Sequence, residues 1–149
     1  MNSASKYKIL RRNARQCALQ AIYQWQLSGT PITEIETQFV KFHVTKKTDL
    51  EYFKEVILGV AKHQHELDNY ISPFIERSIH EVDPIELAIL RIATYELAKR
   101  LDVPYRVIIN EGLELAKKFG SIEGYKFINS ALDRIARQLR VNEINPEIK

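Results

Sequence analysis

The stretch from Asp83 to Arg100 limits the possible folds more than any other part of the chain. Asp83-Pro84-Ile85-Glu86 is a compact helix start. Asp caps, Pro takes the first helical position where an N–H is not needed, and Glu86 can reach back to complete a capping box. The helix that follows, Ile85 to about Arg100, is apolar on almost every side, with Leu87, Ile89, Leu90, Ile92, Ala93 and Leu97 spread around it. A helix without a polar face belongs at the buried centre of a helical assembly, so the rest of the chain must supply amphipathic helices to cover it. Composition agrees. Only five Gly and five Pro occur in 149 residues, 45% of the chain is hydrophobic, and β-branched alternation is scarce. The predicted class is all-α, with one domain spanning residues 1–149 and a core of ordinary size.

Helical periodicity places the remaining elements. A first helix runs from about Ile9 to Ser28, where Ser28-Gly29 stops it. Thr30-Pro31 reads as an N-cap followed by Pro at the first helical position, opening a short helix with Ile32, Ile35, Phe39 and Phe42 inward. His43 to Thr48 reads as a loop. From Thr48-Asp49 the apolar positions Leu50, Phe53, Ile57, Val60, Leu67 and Ile71 keep three–four spacing, broken once by Gln64. This predicts one long helix, which Pro73 kinks or divides before a further helix near Phe74 to His80. After the central helix, Val103-Pro104 resets the chain for Tyr105 to Phe119, stopped by Gly120. A last helix, about Gly124 to Leu139, turns Phe127, Ile128, Ala131, Leu132 and Ile135 inward. The total is about seven helices in two packed antiparallel bundles, and residues 142–149 read as a flexible polar tail.

Charge is distributed unevenly. Lys6, Lys8, Arg11, Arg12 and Arg15 all precede the first carboxylate, Glu34, so the other 17 basic residues face all 19 acids. A +5 head on a −2 body points to a polyanion held at one end, although a solvated N-terminus would carry the same charges. The first helix favours the former. Ala14, Ala18, Ala21, Ile22 and Trp25 form a core-facing stripe, and Arg12, Arg15, Leu19, Tyr23 and Gln26 form a second strip, roughly opposite. Arginine contacts phosphate, tyrosine stacks on a base and glutamine reads a base edge, a combination suited to single-stranded RNA. A merely solvated face explains the Arg and Gln but sits less well with an exposed Leu19 and Tyr23.

Other chemistries find little support. His63 and His65 are two apart, so on a helix they point about 200° from each other and cannot chelate one metal. Cys17 lies among small apolar residues and reads as a packed, inert thiol; as the single cysteine it can form no intrachain disulfide, in keeping with a cytoplasmic protein. No phosphate-binding glycine loop, dinucleotide fingerprint or nucleophile elbow occurs, and no apolar run approaches a membrane span. Gly120 and Gly124 read as a helix stop followed by a restart. The chain reads as a binder without catalytic residues, metal or cofactor.

Three stretches resemble the bacterial NusB antitermination family. Arg11-Arg12-Asn13-Ala14-Arg15-Gln16-Cys17-Ala18-Leu19-Gln20-Ala21-Ile22-Tyr23 is similar to its opening helix, and Ala88 to Leu97 (AILRIATYEL) to its central helix. Asp102 to Gly120 (DVPYRVIINEGLELAKKFG), followed by Lys126-Phe127-Ile128-Asn129, is similar to its C-terminal signature. The resemblance implies two packed helical bundles without enzymatic activity. It implies binding to the boxA element of ribosomal RNA leaders together with NusE, a small-subunit ribosomal protein, in a complex with other Nus factors on RNA polymerase. The implied RNA-binding residues are Arg11, Arg12, Arg15, Tyr23, Gln26 and Ser28, with Glu123, Lys126 and Phe127 before and within the last helix. Phe127 fits a core position equally well. Glu86 is the implied partner-binding residue, beside its capping-box role. A homodimer without the partner also fits the family.

Two residues depart from the family pattern. Gly112 stands where the family usually has Ala and should cost about 1 kcal/mol of helix propensity. Ser130 stands where a Gly is usual, putting close helix packing there in question. Rival readings are a NusB-like domain of a ribosomal RNA cytosine methyltransferase, for which a chain ending at Lys149 leaves no room for a cofactor-binding sheet, and a protein-binding adaptor without RNA specificity. A helix-turn-helix DNA binder would need a basic recognition helix elsewhere than at the start of the chain.

Overall fold

The computed structural model describes residues 3–146, which form eight α-helices and two 3₁₀ turns and contain no strand. Among these residues no helix is long and apolar enough to cross a membrane. The chain divides into two compact units, one through Lys62 and one from His63.

The first unit comprises α1 (Ser3–Ser28), α2 (Ile32–Phe42) and α3 (Leu50–Lys62), with α1 packed on both others. α1 begins about two turns before the expected Ile9 and ends at Gly29, whose φ of 70° is the left-handed conformation glycine tolerates best. Its buried face includes Ala14, Ala18, Ala21 and Ile22 as predicted, and extends to Arg15 and Leu19. At about 100° per residue the second strip lies beside the apolar stripe, about 110° round, so α2 and α3 cover part of it. The expected exposure of Leu19 is therefore corrected. The solvent face of α1 instead centres on Gln16, Gln20, Tyr23 and Leu27.

α2 buries Ile35 and Phe39 but leaves Phe42 68% exposed, contrary to its expected inward role. Pro31 takes the cap position and its carbonyl accepts from Glu34 and Ile35, while Thr30 makes no cap bond. α3 opens as predicted: Asp49 Oδ1 accepts from the Tyr52 N–H at 3.0 Å. The long helix expected to continue through Gln64 stops at Lys62, and His63, with φ −106° and ψ 21°, breaks it. The residue that looked like one polar slip in a seam marks a change of unit.

In the second unit, α5 (Pro84–Lys99) is the buried centre, with α4 (Gln64–Ile71), α6 (Tyr105–Phe119) and α7 (Ile122–Leu139) against it. Every residue from Leu87 to Leu97 is buried, Arg91 included. Arg91 reaches Asp68 on α4 through two bonds of 2.9 Å, which is how a guanidinium can stay inside a core. The helix expected near Phe74 to His80 is reduced to two 3₁₀ turns, Ser72–Phe74 and Ile79–Glu81, because Pro73 removes a donor and the chain extends at Ile75. α6 matches its predicted bounds.

Part of the expected tail is structured. Val141–Ile144 forms α8, and Glu143 accepts from the Tyr105 N–H at the start of α6 and from Arg140. Arg140, 4% exposed, also donates to the carbonyls of Leu97, Glu96 and Arg100 and so closes the C-terminus of α5. Residues 147–149 of the expected tail lie outside the described residues.

Candidate nucleic-acid interface

α1 contains five basic side chains and no acid along its 26 residues. Its N-terminal half is organised around Tyr52 of α3, which is 3% exposed. The Arg11 guanidinium lies 4.0 Å from the Tyr52 ring centroid and 4.4 Å from that of Tyr7, sandwiched between the rings. Arg11 Nε is also 3.8 Å from Asp49 Oδ2. Arg15, 4% exposed, lies 5.4 Å from the same Tyr52 centroid. Thus Arg11 is largely covered, Arg15 is inside, and Arg12 is half-buried at the rim. Their charges still raise the local potential, but Arg15 acts as a strut between α1 and α3.

Further along α1, Tyr23 is exposed, at 36%, and Gln26 is half-buried. Ser28 exchanges bonds with Thr30, donating to its hydroxyl at 3.0 Å and accepting from its N–H at 3.1 Å, which fixes the turn after the helix. Cys17 is half-buried; burial pushes its thiol up, and a hydrogen bond with the Thr48 side chain opposes that shift.

The other site residues, Glu86, Glu123, Lys126 and Phe127, converge in the second unit on one cavity of about 430 Å³. Phe127 is half-buried and lies under Arg77, whose guanidinium is 4.4 Å from the ring centroid. It is thus neither a full core residue nor a bare stacking platform. Glu123 and Lys126 are exposed on the first turns of α7, 4.0 Å apart. Ser121 caps this helix by accepting from the Gly124 N–H.

Glu86 makes no capping-box bond; Asp83 alone accepts from the Ile85 and Glu86 N–H groups. The Glu86 carboxylate turns toward α7, where a Cβ on Gly124 would stand 2.7 Å from its Oε2. Gly124 therefore lies within α7 as a point of close approach and does not restart a helix. Burial first, and Asp83 next, push the Glu86 carboxyl up, and Arg77 opposes them. Ser130 is exposed on the cavity wall, so no close helix packing depends on it.

Sequence reasoning missed Tyr7, Lys46 and Lys47 near α1 and Arg77 and Arg134 at the cavity. Tyr7 was legible as an aromatic four residues before Arg11 on the same helical face. Arg134 was legible as well, seven residues after Phe127 on the same helix. Lys46, Lys47 and Arg77 come from loops, which periodicity cannot place.

The NusB family model matches residues 12–137. A transcription antitermination protein NusB of Marinobacter nauticus is 50% identical over 136 residues, covering 91% of this chain and 86% of the relative. One from Hahella chejuensis is 46% identical, covering 94% of each. A structure of T. maritima NusB superposes with a TM-score of 0.74 at 29% identity, over 85% of this chain and 90% of that one. A crystal structure of the antitermination factors NusB and NusE in complex with double-stranded RNA gives 0.77 at 25% identity, over 87% and 97%. With sequence and fold matched over most of its length, the chain belongs to the NusB family.

Proposed function

We propose that this protein is a cytoplasmic transcription antitermination factor that binds single-stranded boxA RNA of ribosomal RNA leaders jointly with NusE. The complex would then assemble on RNA polymerase with other Nus factors. The observation that carries the reading is α1, a helix with five cations, no acid and the exposed rings of Tyr7 and Tyr23. Family membership, and a structural relative described with NusE and RNA, support it. In this reading Arg11 and Arg12 attract phosphates, Arg15 holds the platform beneath them, and Tyr23, Gln26 and Ser28 extend the contact along α1. Glu123, Lys126 and Phe127 contribute a second contact, and Glu86 meets the protein partner.

If Lys6, Lys8, Arg11, Arg12 and Lys126 each neutralise one phosphate of a single strand, the salt slope is near −3.5, roughly a hundredfold loss of affinity between 50 and 200 mM salt. Modest affinity for the protein alone follows, and a partner adding contacts to the same RNA would strengthen it. Fluorescence anisotropy tests the reading, using labelled boxA RNA, a scrambled strand and a duplex control, with and without NusE. Selective binding of the single strand that tightens with NusE is expected. Equal weak binding to all three, indifferent to NusE, would refute it in favour of a protein-binding adaptor.

A further inference from the structure

The loop between α2 and α3 is built to present two lysines. Residues 45–48 form a β-turn closed by the Thr48 N–H to the Thr45 carbonyl at 3.1 Å, with Lys46 and Lys47 at its two central positions. Thr45 Oγ1 accepts from the Lys47 N–H at 3.1 Å and stiffens the corner. Both side chains are exposed, and neither pairs with an acid among the described residues.

Two bonds fasten this turn to α1. Asn13 Nδ2 donates to the Lys47 carbonyl at 2.8 Å, and the Asp49 N–H donates to the Leu10 carbonyl at 3.0 Å. Leu10 and Asn13 are spaced i, i+3, so the turn runs along one edge of α1. At about 100° per residue, Arg12 lies roughly 130° round from that edge, with Gln16, Gln20 and Tyr23 on the exposed face between. Of the other α1 arginines, Arg11 is covered by two rings beside Asp49, and Arg15 is buried. The accessible cations of α1 are therefore Arg12 with the exposed Lys6 and Lys8, and the turn adds two more beside this face.

We infer that the Thr45–Thr48 turn is a second phosphate-binding edge, in which Lys46 and Lys47 face Arg12 across the exposed strip of α1. An RNA backbone is then held from both sides of that strip, with Asn13 as the positioning residue that fixes the turn. This inference rests on the RNA-binding reading of α1 and extends it to residues outside that helix. The fixed backbone matters because a lysine on an anchored turn loses less freedom on binding than one on a loose loop.

The test measures anisotropy of a labelled single-stranded RNA across a salt series for wild type, K46A/K47A, N13A and the triple variant. Both lysines are exposed and the turn is fastened through the Lys47 backbone, so K46A/K47A leaves these bonds in place. If each lysine neutralises one phosphate, the salt slope shrinks by about 1.4, and the affinity loss between 50 and 200 mM salt becomes about sevenfold smaller. N13A should weaken binding in the wild-type background and have little effect in K46A/K47A, a non-additivity that general destabilisation would not produce. An unchanged slope in K46A/K47A, with wild type still binding RNA, overturns the inference and leaves the α1 reading standing. So does a loss confined to NusE binding, which would make the turn a protein contact. If wild type binds no single-stranded RNA even at 50 mM salt, the α1 reading fails and takes the inference with it. Equal effects of N13A in both backgrounds would overturn the positioning role of Asn13.

Discussion

Arg15→Ala separates a structural arginine from a phosphate-binding one. Arg15 is 4% exposed and its guanidinium lies 5.4 Å from the Tyr52 ring centroid. Removing it deletes two buried methylenes, worth about 0.8 kcal/mol each, and a desolvated cation–π contact of about 1–2 kcal/mol. Relief from burying a charge and the better helix propensity of Ala offset part of this, leaving an expected loss of about 2–3 kcal/mol. For a chain of this size that is a fall in midpoint of roughly 5–10 °C. The single tryptophan, Trp25, lies on α1, so its fluorescence follows unfolding of the first unit directly. Lys8→Ala is the control: Lys8 is exposed on the same helix, and its loss should change stability by less than about 0.5 kcal/mol. Below its midpoint, Arg15→Ala should keep the wild-type salt slope of RNA binding. A wild-type midpoint together with a slope reduced by about 0.7 would refute the reasoning, because that is the signature of a solvent-facing phosphate contact.

Other substitutions test the second unit. Arg140→Ala removes the cation that bonds three carbonyls at the end of α5 and should cost about 3–5 kcal/mol, read by urea unfolding followed by far-UV circular dichroism; a loss below 1 kcal/mol would show that the carbonyls find other partners. Glu86→Gln has its sign fixed by the raised folded-state pKa. Keeping Glu86 ionised costs stability at neutral pH, and the cost disappears as pH falls through that pKa and below the ordinary carboxylate range. The variant should therefore melt higher than wild type at pH 7 and together with it in acid; a gain independent of pH would contradict the cause assigned. Gly124→Ala adds about 1 kcal/mol of helix propensity and forces the Glu86 carboxyl aside. Because the clash is with the end of a flexible side chain, calorimetry should give a midpoint at or above wild type, and a fall of several degrees would show that Glu86 is locked in place.

The centre of the fold was legible because its signals agreed. Asp83, Pro84 and the all-round apolar run from Leu87 to Leu97 each argued for a buried helix starting at one place, and α5 starts there. Where one signal spoke alone, the structure diverged. Periodicity carried a single helix through Gln64, but His63 breaks it, and a lone polar residue in a seam does not distinguish a slip from a boundary. Helical spacing placed Arg15 and Leu19 in one strip with Tyr23, and only the positions of α2 and α3 determine how much of that strip they cover. Glu86 had the spacing of a capping box, yet its carboxylate follows the space left by Gly124, far along the chain. Lys46 and Lys47 gained meaning only through the Asn13 bond, a tertiary contact that sequence spacing does not encode.

The central claim is that RNA lies on the exposed face of α1 and the loop fastened to it. Photo-cross-linking of boxA RNA carrying 4-thiouridine, followed by mass-spectrometric mapping of the adducts, tests this directly. The account predicts adducts at Tyr7 and Tyr23 and in peptides spanning Lys6 to Asn13 and Thr45 to Thr48, lost when salt is raised. Adducts confined to α5 and α6, with none on α1 or the loop, would contradict it.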